Sequence, residues 1–115
     1  MRAAWNATIL REFIGDDDVA LQNLLNDYLL AIDQTRTDLQ AAIDIDDTGA
    51  VIELAHKFKS SSRWVGALAL GEWCVQLETL GSRGDMQAVR DLQEPFEREL
   101  EAVRVDIHAV LRELG

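Results

Sequence analysis

Apolar residues recur along this chain at spacings of three and four, and nowhere alternate one by one as a half-buried strand requires. The pattern predicts helices at about 5–14, 18–44, 48–64, 67–80 and 86–113. In the first, Trp5, Ile9 and Phe13 stand four apart and Gly15 ends the element. Asp16, Asp17 and Asp18 then offer an N-cap and negative charge to the positive end of the second helix. Three consecutive carboxylates point in different directions, so they mark a helix start rather than a metal site. From Val19 to about Asp44 there is no glycine or proline, and Leu21, Leu25, Tyr28, Ile32, Leu39 and Ala42 form the core stripe.

The third helix, capped by Asp47 or Thr48, carries Val51, Leu54, Ala55, Phe58, Ser62 and Val65 on one stripe, and Gly66 permits a tight corner. In the fourth, Leu70, Trp73, Cys74 and Leu77 face inward. Asp85 caps the last, whose apolar series runs from Val89 to Leu114. Pro95 lies inside it and predicts a kink or a restart, because proline removes a backbone donor. Short turns force sequential helices side by side. The expected fold is therefore all-α, an antiparallel four-helix up-down bundle with a short additional N-terminal helix, as a single domain over residues 1–115.

Composition narrows the functions. The chain of 115 residues has 21 Asp and Glu against 11 Lys and Arg, a net charge of -10, which argues against nucleic acid. No apolar run reaches the roughly 20 residues that span a bilayer, and the N-terminus lacks the apolar core of a signal peptide, so cytoplasmic residence without direct membrane contact is expected. The lone Cys74 forms no internal disulfide and is expected to be a small buried hydrophobe.

Candidate chemistry gathers on the third helix. His56, Lys59, Ser60 and Arg63, at i, i+3, i+4 and i+7, form a stripe roughly opposite the apolar one, which points the imidazole to water. No carboxylate occurs from Leu54 through Gly71, whereas Lys57, Lys59 and Arg63 all do. A local positive field around an exposed imidazole suits a transient anion such as a phosphoryl group. His108, beside the apolar stripe of the last helix, is expected at a surface or boundary.

Enzyme classes fail on the residues available. A Cys/His hydrolase needs Cys74 beside a histidine, yet Cys74 is on the core side of its helix. A self-sufficient kinase needs a glycine-rich phosphate loop, and there is none. Glu53-x-x-His56 matches one half of a di-iron bundle site, but His108 has Val105 three residues before it, so no metal is assigned. What remains is a histidine that reacts without its protein being an enzyme. A neutral imidazole, with an unperturbed pKa of about 6.5, can take a phosphoryl group from an aspartyl phosphate and pass it on. The donor must bring its own active site and magnesium, so no cofactor of the chain's own is expected. Lys59 is placed to neutralise the incoming charge, and small residues at Ser60 and Ser61 allow another protein to approach.

The run Ala55-His56-Lys57-Phe58-Lys59-Ser60-Ser61-Ser62, with Gly66-Ala67 after it and Cys74-x-x-Leu77-Glu78 further on, resembles the signature of histidine-containing phosphotransfer (HPt) domains, A-H-x-L-K-G-S-[SA]-x-x-x-G-A followed by L-x-x-x-C-x-x-L-E. Leu10 to Asp18 and the leucine-rich helix after it are similar to that family as well. The resemblance implies a phosphoaccepting His56 with Lys59 in support. It also implies receiver-domain partners, of a response regulator or hybrid sensor kinase, one donating and one accepting, and no ATP site or autophosphorylation. Lys57, Ser60, Ser61 and Arg63 are then expected at the receiver contact, with Gly66, Phe58 and Cys74 structural. Ile52, an apolar residue one turn before His56, fits either a receiver contact or packing against the first helix. Ser60 stands where the family has glycine and Phe58 where it has leucine. Phe58, on the core stripe, changes packing, while Ser60 lies on the reactive face. The competing class is a helical adaptor whose histidine is unused, and Ser60 is the departure that motivates it.

Overall fold

A computed structural model describes residues 4–115. Residues 1–3 of the expected single domain lie outside the described residues. Its helices are α1 (Thr8–Ile14), α2 (Asp18–Asp44), α3 (Thr48–Val65), α4 (Leu68–Ser82) and α5 (Met86–Leu114), with no strand among the described residues. Each of α2 to α5 packs on the next and α5 packs back on α2, which closes an antiparallel four-helix bundle, with α1 laid against α2 and α3. The fold is the all-α bundle with a short additional helix that the periodicity describes.

Three aspartates start three of the long helices. The side chains of Asp17, Asp47 and Asp85 accept from the backbone N–H of Ala20, Ala50 and Ala88, each at 3.0 Å. The α3 end is closed by Gly66, whose φ of 89° is left-handed, with Gly66 N–H donating to Arg63 O and Ala67 N–H to Ser62 O. A side chain there meets a second obstacle, since a Cβ on Gly66 would lie 3.0 Å from Ile9 Cβ.

The N-terminal stretch departs from its pattern. Trp5 lies before α1, buried, with its indole N–H donating to Val65 O at 2.8 Å and its backbone N–H to Asp106 Oδ2 at 2.9 Å. The buried residue of α1 is Leu10, and Phe13 is exposed. A seven-residue helix is too short for spacing to select its face. The unpaired carbonyl at the end of α3 gives the indole a partner that a helical Trp5 would not reach. At Pro95 the helix continues, so of the two outcomes that proline allows, a kink or a restart, the restart does not occur. Only Asp91 loses its i+4 donor, and Asp91 is exposed, where a carbonyl without an intrahelical donor costs least.

Candidate functional site

The core stripe of α3 holds Val51, Ala55, Phe58, Ser62 and Val65 buried, with Leu54 half-buried at its edge. Behind it, the Tyr28 ring of α2 stacks on Phe58 at 5.5 Å and 3°, and Phe96 of α5 meets Phe58 edge-on at 6.4 Å. Ser62, the polar member of the stripe, shares a 2.7 Å hydrogen bond with the Tyr28 hydroxyl. Burial pushes the Tyr28 phenol well above its ordinary pKa. Contacts from α2 and α5 thus fix the rotation of α3 about its axis.

That rotation leaves the His56 side chain 71% exposed. Its Nδ1 lies 3.7 Å from Oε1 of Glu78 on α4, and Lys59 Nζ lies 2.7 Å from the same oxygen. The Lys59 contact is an ion pair by distance, but its angles miss hydrogen-bond geometry, so this buried oxygen keeps a lone pair without a donor. A slight turn of the imidazole would direct an Nδ1–H to it. Such a contact fixes the tautomer and leaves Nε2, with its lone pair, as the outward nitrogen. His108 is also exposed, but no ion pair joins it to another described residue.

Glu78 is the residue whose role the linear sequence leaves unassigned, although it closes the Cys74-x-x-Leu77-Glu78 motif. It also corrects the field around His56. The stretch from Leu54 to Gly71 lacks carboxylates only along the chain, because α4 brings one in from the side and Lys59 is neutralised by it. The available signal was local: Glu78 follows the buried Leu77 by one residue, at the border of a core stripe where a carboxylate needs a cation. Cys74, one turn earlier, is fully buried, and its thiol is pushed up to about 12, first by burial and then by Glu78. It packs behind the site as a neutral thiol.

The remaining expected residues divide between two flanks. Towards α4, Ile52 is half-buried against Gly81 and the Arg63 stem crosses Gly71, where added Cβ atoms would lie 2.9 Å and 3.1 Å from them. Ile52 therefore packs against α4, which replaces the expected contact with the first helix. Towards α2, Lys57 lines a groove with Asp38 and Leu54, and Ser61 lines one with Ala31 and Trp64. Ser60 is exposed, one turn past His56 on the outward face. No three His, Cys, Asp or Glu side chains converge as a metal site among the described residues. None of the described helices is long and apolar enough to cross a membrane.

This bundle, with an exposed histidine backed by a carboxylate and a lysine, is the arrangement of a phosphotransfer domain. The Hpt domain family model matches residues 23–106, most of the sequence, and the chain belongs to that family. Its role is phosphotransfer in two-component phosphorelays, as a phosphocarrier rather than an enzyme. Among solved structures it is similar to histidine-containing phosphotransfer protein B from Pseudomonas aeruginosa PAO1, with a TM-score of 0.89, 26% identity and 98% of each chain covered. A search of curated proteins returns no match.

Proposed function

We propose that this protein is a phosphorelay intermediate that accepts a phosphoryl group on His56 from the phosphoaspartate of one receiver domain and delivers it to another. The observation that carries this reading is the exposed imidazole whose Nδ1 faces Glu78 while Lys59 stands one turn away. In the forward step the Nε2 lone pair attacks phosphorus, the N–P bond forms, and the bond to the donor's aspartate oxygen breaks. The aspartate leaves as a carboxylate. The imidazole ring becomes cationic at Nδ1–H, and the Glu78 carboxylate stabilises that charge. Lys59 then has a second anion within reach, since its ammonium can turn from Glu78 to the phosphoryl oxygens. Delivery reverses these steps, with the acceptor's aspartate as nucleophile and imidazole as leaving group.

No ATP site or autokinase activity belongs to this reading, and magnesium sits on the receiver rather than on this chain. Lys57, Ser60 and Arg63 border the imidazole where a receiver would close over it. The Ser60 hydroxyl stands where it can donate to a phosphoryl oxygen, and Ser60→Gly is expected to change transfer rate or receiver preference. An unchanged rate and preference would remove that role. The cytoplasm, where kinases supply phosphoryl groups to receivers, is the proposed location.

The test is incubation with a phosphorylated receiver domain, followed by assay for acid-labile, alkali-stable phosphate on the protein. Transfer to the wild type and none to His56→Gln is expected. If no cognate receiver transfers, or if transfer persists in His56→Gln, the reading is wrong and a helical adaptor with an unused histidine takes its place.

A further inference from the structure

Gly71 stands inside α4 at a position where the backbone does not call for glycine. Its φ is not in the left-handed region, and glycine within a helix is less stable than alanine. A Cβ built there meets first the stem of Arg63, with Cγ at 3.1 Å, Nε at 3.4 Å and Cδ at 3.8 Å. At Gly81, by contrast, the neighbours are Ile52 Cγ1, Val51 Cγ1 and the Thr48 carbonyl, which are contacts of the α3–α4 packing itself. Gly71 therefore leaves room for one surface cation. Arg63 is exposed and follows His56 by seven residues on α3, as Gly71 precedes Glu78 by seven on α4. On both helices the stem thus lies two turns, about 10 Å, from the imidazole and its carboxylate.

We infer that Gly71 is a positioning residue: it seats Arg63 across α4, where the guanidinium takes a carboxylate on the rim of the receiver domain and so sets affinity and receiver choice; the inference rests on the phosphotransfer reading above. A planar guanidinium holds a carboxylate through two parallel hydrogen bonds, and a stem already laid on a helix has less freedom to lose when it does so. Distance separates this contact from the chemistry. The donor's phosphoaspartate and magnesium meet His56 itself, while a group about 10 Å further along meets the surface around them.

The charges around Arg63 leave it available. No carboxylate among the described residues forms an ion pair with it. Glu78 is taken by Lys59, and Glu72, exposed, points about 100° round α4 from Gly71. Glu99 of α5 lines a cleft at the α3–α4 corner, and Asp27, Asp38 and Glu53 line clefts on the α2 flank. The positive charge of Arg63 does reach Cys74 on α4, where burial and Glu78 raise the thiol and Lys59 and Arg63 oppose them. Arg63 also lies in the last turn of α3, where a cation favours the helix dipole. That role requires neither a seat on Gly71 nor a partner.

The experiment measures transfer from two phosphorylated receiver domains against receiver concentration, for the wild type, Arg63→Ala, Arg63→Lys, Gly71→Ala and the double variant of Gly71→Ala with Arg63→Ala, with thermal unfolding of each. KM is expected to rise about tenfold in Arg63→Ala and severalfold in Arg63→Lys and Gly71→Ala, with the saturated rate kept within about twofold. The rise should differ between the two receivers. Gly71→Ala should unfold no lower than the wild type, and in the double variant it should add nothing to Arg63→Ala. Equal KM values in all the proteins overturn the inference and leave phosphotransfer standing. An effect of Gly71→Ala on KM or on unfolding that persists without Arg63 assigns the glycine to packing and overturns its positioning role, as does a KM raised by Arg63→Ala alone. A lower saturated rate at unchanged KM overturns the inference in favour of a contact with the phosphoryl group. Lower unfolding of Arg63→Ala at unchanged KM overturns it in favour of the helix dipole. A wild type that accepts from neither receiver, nor from any other cognate one, removes the underlying reading and this inference with it.

Discussion

The two flanks of α3 are held in different ways. Against α4, the helices approach through glycine, with Gly81 under Ile52 and the Thr48 carbonyl, and Gly71 under the Arg63 stem. Against α2, the separation is set by a large aromatic pair, Tyr28 on Phe58. Interaxial distance follows the side chains at the contact. The glycine flank is consequently closed, while grooves open along the aromatic flank beside Lys57 and Ser61. The side chains of the proposed site follow the same division: Glu78, which faces the imidazole and lysine, comes from the close flank, and open surface lies on the other. Glycine within a helix costs about 1 kcal/mol relative to alanine. Here that cost accompanies an approach that holds a carboxylate 3.7 Å from the His56 ring.

The comparison breaks most readily at Gly81. Gly81→Leu puts a side chain where a Cβ alone would already lie 2.9 Å from Ile52 Cγ1, and overpacking of this kind costs about 1–3 kcal/mol. Denaturant unfolding should show that loss. Phosphoryl acceptance should fall with it, since Glu78 moves with α4. Unchanged stability would mean that the α3–α4 contact is looser than described. Ile52→Ala should relieve part of the loss in the double variant, which a mutant cycle measures.

A second test uses pH on the same flank. The Cys74 thiol is raised from 9.0 to about 12 by burial first, so its native environment favours the neutral form. A group raised in the fold contributes stability that is complete below its unfolded pKa and is lost as pH rises through the folded one. Stability should therefore decline between about pH 9 and 12 as the unfolded thiol ionises. Cys74→Ala should remove the part of that decline that begins near pH 9, while the buried Tyr28 phenol keeps a share above about pH 10; equal slopes in both proteins would show that the thiol does not contribute.

The aromatic flank predicts smaller losses. Tyr28→Phe keeps the stack on Phe58 and deletes one buried hydrogen bond to Ser62, at a cost of about 1 kcal/mol. Combined with Ser62→Ala, which removes the orphaned hydroxyl, the cost should shrink. A double variant worse than either single one would contradict this account. At the groove itself Ser61→Ala should change the unfolding free energy by less than about 0.5 kcal/mol, as for a surface position without a specific partner. A larger value would mean that the open side also carries fold stability.

Much of the site could be read along the chain because a helix converts spacing into direction. His56 falls opposite the stripe of Val51, Ala55, Phe58 and Val65, and its exposure follows from the 100° step. The apolar spacing likewise marked the long helices, and aspartates marked the starts of three of them. At Trp5 and Phe13 spacing failed, since a helix of seven residues has too few turns for a stripe to outweigh one good hydrogen bond. At Pro95 the restart that the local rule allowed does not occur, in a helix of twenty-nine residues packed on two neighbours.

Sequence by itself determined the bundle, the helix carrying the histidine, and the face on which the histidine stands, because periodicity and capping act between residues a few places apart. Only the tertiary structure decided that Glu78 lies beside His56 and neutralises Lys59, that Ile52 rests on Gly81, and that Phe13 and Trp64 meet outside the core. Those contacts join residues on different helices. Their distances depend on how closely two helix axes approach, and the volumes of side chains across the interface set that approach.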